Sequence, residues 1–459
     1  MARLWQGDGG GSVKVAIIGA GVAGLTAAYD LARSGHSVVV YEAAPVAGGL
    51  ASGFRDERWE WPLERFYHHL FESDVAIRAL VQEIGFGDRL FFRRPITAQW
   101  WNGRAYALDG VLPVLRFPAV PFVDRLRFGL AVAYLKYLTN DWRTLEKVTA
   151  AEWTLRWCGP NVYREIWRPL LEGKFGPHAD EVNMAWLWAR LKARSFRLGY
   201  FVGGFQAFCD ALLERVRRLG AVVHLGAPVV ALTRLDDEVW QVTAGGALAG
   251  AAEDVDAVIV TGSPALLARL APNLPADYLR HLRTLRSMGA VVMTIALRQR
   301  LLTDGTYWLM PPKREFPFLA LVEHTNFIEP AHYGGDHLIY CGDYLDPDHE
   351  YFRLSPDQLL QRFLPALARV NSHFDPSWVR AYWLHREPYA QPIVPVNHAR
   401  NIPPLATPLR GLFWASMSQV YPWDRGTNYA VELGRRVAAE CHQYAEMLRL
   451  RGGVALRAP

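Results

Sequence analysis

Cysteine is scarce: Cys158, Cys209, Cys341 and Cys441 are the only four in 459 residues, far apart and without a C-x-x-C pair. That spacing excludes a zinc knuckle or a disulfide framework. It fits reduced, buried thiols in a cytoplasmic protein. No apolar run reaches the ~20 residues needed to cross a bilayer. The nearest, FGLAVAYLKYL at 128–138, is shorter and carries Lys136. The opening MARLWQGDGGGS lacks the apolar stretch of a signal peptide, so residues 1–12 read as a flexible leader. Charge of one sign is not in large excess either. Fifty basic and 45 acidic residues leave a formal net charge of +5. No basic stripe is concentrated enough for a nucleic-acid binder. The small excess suits an anionic substrate or an acidic membrane face.

What is present is apolar and aromatic. Hydrophobic residues make up 51% of the chain, including 17 Trp, 19 Tyr and 21 Phe. A chain of this length forms two or three packed units rather than one core. Trp153 with Trp157, and Tyr163 with Trp167, fall one helical turn apart, as for a filled core or an aromatic-lined tunnel. LRFPAVPFVDRLRF (115–128) reads as a buried loop and helix with solvated arginines, or as an amphipathic lip on a membrane surface.

VKVAIIGAGVAGLTAAYDLARSGHSVVVYEA (13–43) carries the sharpest signal. Val13–Ile18 is a continuous apolar run, as in a buried parallel strand. Gly19-Ala20-Gly21-Val22-Ala23-Gly24 follows as G-x-G-x-x-G and opens a helix; a second strand ends at Glu42. Gly19 permits the tight turn, Gly21 lets backbone approach a pyrophosphate, and Gly24 lets helix pack on strand. The helix start offers free N–H groups and positive potential to phosphate. Glu42 suits the ribose hydroxyls and would repel a 2′-phosphate.

Beyond Glu42 lies Gly48-Gly49-Leu50. This extended signature resembles the flavoprotein superfamily of amine oxidases, protoporphyrinogen oxidases, phytoene desaturases and UDP-galactopyranose mutases. YREIWRPLLEGKFGPHADEVNMAWLWARL (163–191), GYFVGGFQAFCDALLERVRRLGAVVHLGAPVVAL (199–232) and GLFWASMSQVYPWDRGTNYAVELGRRVA (411–438) are similar to later segments of that superfamily, in the same order. The resemblance implies an α/β fold of the glutathione-reductase-2 type, with a Rossmann-like FAD-binding domain and a discontinuous α+β substrate domain. The expected FAD parts are 13–70, 199–265 and 405–445; the substrate parts are 71–198, largely helical, and 266–404; 446–459 is a tail.

The resemblance further implies a non-covalent FAD. Gly19, Gly21, Val22, Ala23 and Gly24 form one cradle loop, and Glu42, Ala43, Gly48, Gly49 and Leu50 the next. Val229 offers backbone to the adenine. Ser416 stands where the family often has an aspartate beside the ribityl chain. Gly426, Thr427, Asn428 and Tyr429 start the helix aimed at the flavin, with Thr427 or Asn428 as its cap. The candidate catalytic residues are His68, Arg425 and Tyr421, with Arg425 facing the flavin, an anionic substrate, or only Asp424. His68 and His69 are neighbours in RFYHHLF (65–71); an extended chain points them to opposite sides, so they do not share a metal.

No second G-x-G-x-x-G follows a later strand, so no dedicated NAD(P)H domain is expected. The expected activity is hydride transfer from a bulky apolar or cyclic molecule (an amine, porphyrinogen or isoprenoid) to flavin. The alternative is a redox-neutral sugar-nucleotide mutase, which His68, Asp74 and Tyr421 resemble, while Met417 and Phe71 depart from it. The expected partners are that small hydrophobic substrate and a peripheral contact at the inner membrane face, with no nucleic acid.

Overall fold

A computed structural model describes residues 12–108, 110, 113 and 116–455. The leader expectation therefore falls almost wholly outside the described residues.

Short apolar strands from three separate stretches of chain make one five-stranded parallel sheet. Its order is Val222–His224, Ser37–Tyr41, Lys14–Ile18, Ala257–Val260 and Leu412–Trp414. Val15, Ile17, Val40 and Ile259 are fully buried, as continuous apolar strands covered on both faces require. Helices Val22–Arg33, Gly204–Arg218 and Thr427–Ala455 pack together on one side of this sheet. A Cβ on Gly434 of the last helix would stand 2.4 Å from the Ala23 carbonyl oxygen, so that helix crosses the first at near backbone contact. The helix runs to Ala455, through most of the expected tail.

The second large element is a seven-stranded sheet, ordered Val379–Pro392, Ser287–Leu297, His337–Leu345, Ala320–Glu323, Thr306–Met310, Ile96–Trp101 and Arg104–Ala107. Its last two strands lie within 71–198, which is therefore less helical than expected. Asn102 and Gly103, both at positive φ, turn the hairpin between them. AVVHLGAPVVAL (221–232) forms two strands. Val222–His224 joins the parallel sheet, Gly226 turns at positive φ, and Val229–Arg234 enters a separate antiparallel sheet. Thr149 caps the helix Ala150–Cys158, and Glu152 completes a capping box. Trp167 is buried, but Trp157 is mostly exposed, so only part of the aromatic pairing fills a core.

Glu64 joins the two large units. Its carboxylate accepts from Tyr200 Oη at 2.8 Å and Phe205 N at 2.7 Å, and its carbonyl accepts from Tyr340 Oη at 2.9 Å. Burial pushes its carboxyl up to about 7 from 4.5, although these bonds pull the other way. A raised folded pKa means the proton is held more tightly in the folded state. Its stabilising effect is full below about 4.5 and is lost as pH rises through about 7. Glu64→Gln is therefore expected to flatten the stability profile across that window, by about 3 kcal/mol. Apparent Tm at pH 5 and pH 8 checks this; parallel wild-type and variant profiles would exclude it.

Candidate active site

The two glycine loops meet at the end of the parallel sheet. Gly21 and Gly48 form an isolated parallel bridge. A Cβ on Gly49 would lie 3.2 Å from the Gly21 Cα, whereas one on Gly21 would meet only Gly49 Cα, at 3.9 Å. A close-approach surface is thus left free of side chains. Helix Val22–Arg33 has no side-chain cap. The N–H groups of Val22, Ala23 and Gly24 find no partner among the described residues. Glu42 Oε2 accepts from Ala20 N at 2.7 Å and Oε1 from Ala44 N at 2.8 Å, which fixes the carboxylate beside the turn. A bare, uncapped helix start with an oriented carboxylate fits a dinucleotide pyrophosphate and ribose. Leu50 follows in the short turn Gly49–Ala51, and Ala43 is exposed at the strand end. Val229 begins its strand in the same core cluster as Ile18 and Tyr41.

A chain of contacts leads from this cradle to RFYHHLF. Gln206 Nε2 donates to Ala47 O at 3.2 Å, and Gln206 Oε1 accepts from Gly53 N at 2.8 Å. The neighbouring Phe205 ring stands 5.5 Å from that of His68. Tyr67, His68 and His69 are deeply enclosed by protein, yet each keeps accessible surface, so they line an internal space. His68 Nδ1 bonds the Phe66 carbonyl, which leaves Nε2 unprotonated and aimed elsewhere. Burial lowers its pKa to about 4 despite that bond, and nearby Arg425 lowers it further. His69 turns the other way, its ring 5.7 Å from Trp308 and 5.3 Å from Phe71. Its Nδ1 is buried without a partner among the described residues. The described residues include no cluster that could hold a metal ion.

The remaining candidates separate. Arg425 does not pair with Asp424. Its guanidinium bonds Tyr344 Oη and lies 5.1 Å from the centre of that ring. Asp424 instead takes Arg190 at 2.5 Å, with Trp186 Nε1 and Gln391 Nε2 each at 3.1 Å. Tyr421 Oη donates to Glu146 at 2.9 Å and accepts from Asn183 at 3.1 Å, so its hydroxyl is committed to structure. The Asp74 carboxylate is likewise taken, by Phe71 N at 2.8 Å. Ser416 Oγ lies 2.6 Å from Tyr389 Oη, which also meets Ser418 Oγ at 2.6 Å.

The C-terminal helix is not capped as expected. Gly426 O accepts its first backbone bond, and Thr427 is its first residue. Asn428 Oδ1 accepts from Ala76 N at 2.9 Å and Ile77 N at 3.2 Å, so it caps helix Val75–Glu83. Tyr429 stacks on Trp423 at 5.9 Å. Lys174, Arg190 and Tyr344 gather about Asp424 and Arg425, and the sequence alone does not single them out.

The model of the flavin-containing amine oxidoreductase family matches residues 22–442. The 15-cis-phytoene desaturase of Synechococcus elongatus is 25% identical over 249 residues, 49% of this chain and 52% of the desaturase. The zeta-carotene desaturase of Arabidopsis thaliana is 29% identical over 248 residues, 48% of this chain and 41% of that one. The matches thus span about half the length of these relatives or less. Among solved structures, cyclohexylamine oxidase from Brevibacterium oxydans superposes with a TM-score of 0.68 at 16% identity, over 95% of this chain and 99% of that one. Putrescine oxidase bound to putrescine gives 0.70 at 17% identity, over 94% and 98%. These likenesses show the fold. With the family match across nearly its whole length, the chain belongs to the flavin-containing amine oxidoreductases, and its cofactor is FAD.

Proposed function

We propose that the protein is an FAD-dependent oxidoreductase that takes hydride from a bulky, largely apolar substrate. The observation that carries this reading is the continuity between the bare glycine cradle and the aromatic-walled space at Tyr67–His69. When bound, the flavin supplies a two-electron acceptor. The chain supplies enclosure and orientation. Tyr67 packs edge-on to Trp308 at 4.9 Å and to Tyr340 at 5.7 Å, giving rigid apolar walls. His68, held neutral, is positioned to accept a hydrogen bond rather than to carry charge. Anaerobic mixing of the FAD-loaded protein with cyclic amines, porphyrinogens and isoprenoids, followed by the flavin spectrum, tests the proposal. Bleaching by one class supports it. No reduction by any, with catalysis only after dithionite treatment, would favour the redox-neutral alternative.

We further propose that the face around helix Phe122–Ala133 rests on an anionic bilayer surface. No residue of this helix is buried. Val123 is 73% and Leu130 73% exposed, and Leu138 just beyond is 76% exposed. Such a stripe exceeds what a solvated helix ordinarily shows. Basic groups border it: Lys136 lies 6.0 Å from the Tyr137 ring and Arg156 5.7 Å from that of Trp157. Apolar residues flanked by cations and aromatic rings match a headgroup boundary. No helix among the described residues is long and apolar enough to cross a membrane. Sedimentation with phosphatidylglycerol vesicles is expected to carry the protein down, and Leu130→Glu with Leu138→Glu to release it. Equal sedimentation of wild type and double variant would refute the contact.

A further inference from the structure

The charges inside the cavity wall do not balance. Lys174 comes from helix Arg168–Phe175, which packs on strand His337–Leu345 of the seven-stranded sheet. Its ammonium stands 4.1 Å from the centre of the Tyr344 ring and makes no hydrogen bond or ion pair among the described residues. Arg425 reaches the same tyrosine from the start of the C-terminal helix. Its Nε is buried without a partner among the described residues. Arg190 is a further enclosed cation, and among the described residues Asp424 is the carboxylate that meets it, already engaged by Arg190, Trp186 and Gln391. Asp343 does not help. It lies on the opposite face of its strand and pairs with Lys313. An unpaired ammonium inside a protein is costly unless an anion meets it. Burial accordingly presses Lys174 well below the ordinary lysine range. Yet Lys174, Arg425 and Tyr344 all keep accessible surface, so they face space rather than packed atoms.

We propose that Lys174 and Arg425, set about the ring of Tyr344, form an internal site for a carboxylate carried by the substrate. Lys174 offers a point charge and Arg425 a planar set of donors, a pair suited to one carboxylate group. His68 lies within electrostatic reach of Arg425, so an anion held there would also bear on the histidine. This inference rests on the oxidoreductase reading and narrows its substrate to an apolar molecule with an acidic end.

The test is calorimetric titration of the FAD-loaded protein with benzoate, phenylacetate and octanoate, each against its neutral amide. At least one acid is expected to bind ~10-fold or more tightly than its amide, a difference ordinary for one paired charge. Lys174→Met should remove most of that preference, Arg425→Met should do the same, and Lys174→Arg should retain part of it. Equal affinity for acid and amide in all three pairs would overturn the site. So would an acid preference that survives both methionine variants. A Lys174→Met protein whose flavin potential shifts while its acid preference stays intact would assign the cations to the cofactor instead, and also overturn it. None of these readouts needs turnover, so a failed hydride transfer and a failed carboxylate site are distinguishable.

Discussion

Gly24→Ala is expected to yield protein with little bound FAD and a stability loss of about 3 kcal/mol. In an ordinary helix the same change would add about 1 kcal/mol, because alanine is the better helix former. Here sterics win. The new Cβ would lie 2.0 Å from the Gly19 carbonyl oxygen and 3.1 Å from Thr261 Oγ1. Gly19 cannot give way. It turns at φ +106°, and its own missing Cβ position is 2.5 Å from that same threonine oxygen. Thr261 is fixed in turn, donating to Ile18 O at 2.9 Å. The displacement must therefore open the turn that leaves the N–H groups of Val22 and Ala23 bare among the described residues. Gly129→Ala is the control. Nothing lies within 4 Å of the added carbon there, so it should be neutral or slightly stabilising. The ratio of flavin to protein absorbance after purification, with apparent Tm, reads both variants. Full flavin content in Gly24→Ala would refute the cradle geometry.

This cradle was legible in the sequence because every part of it is local. Turn, helix start and strand-end acid lie within one short stretch, and each has a residue preference of its own. The capping box of Thr149 and Glu152 and the turn at Asp236-Asp237 are equally local. The hairpin at Asn102-Gly103 carried an equally local signal that the helical reading of 71–198 passed over. Asn428 shows the limit. Its side chain belongs at a helix start, as its type suggests, but the helix it caps begins at Val75, far away in sequence. Glu42 and His68 could be singled out by motif and resemblance. Lys174, Arg190 and Tyr344 could not, since their meaning comes only from meeting Asp424 and Arg425 across the molecule. A lysine on an apolar helix most often snorkels to water; nothing nearby in the chain says that this one turns inward.

Asp424→Asn is the other change with a large expected effect, about 3–5 kcal/mol of destabilisation at pH 7. Burial by itself would raise this carboxyl. Arg190 first, then Arg425 and Lys174, more than offset that and hold it far below the usual range. The amide keeps the shape and removes the charge, so Arg190, Arg425 and Lys174 lose the carboxylate that offsets them. The sign with pH follows from linkage. A carboxyl whose folded pKa is depressed contributes above its unfolded value, near 3.8, and that contribution fades as pH falls below it. The gap between wild type and variant should thus be constant from pH 8 to 5 and narrow under strongly acidic conditions. Urea midpoints across that range measure it. Arg190→Met in the same chain should recover part of the loss, because it removes the cation that the carboxylate holds most directly, at 2.5 Å. Benzoate added to the single variant should also raise its midpoint, since a second anion would then sit among the cations Asp424 had been neutralising. A variant as stable as wild type at neutral pH would mean the cations are already compensated, and would remove the electrostatic basis for placing a carboxylate beside Lys174.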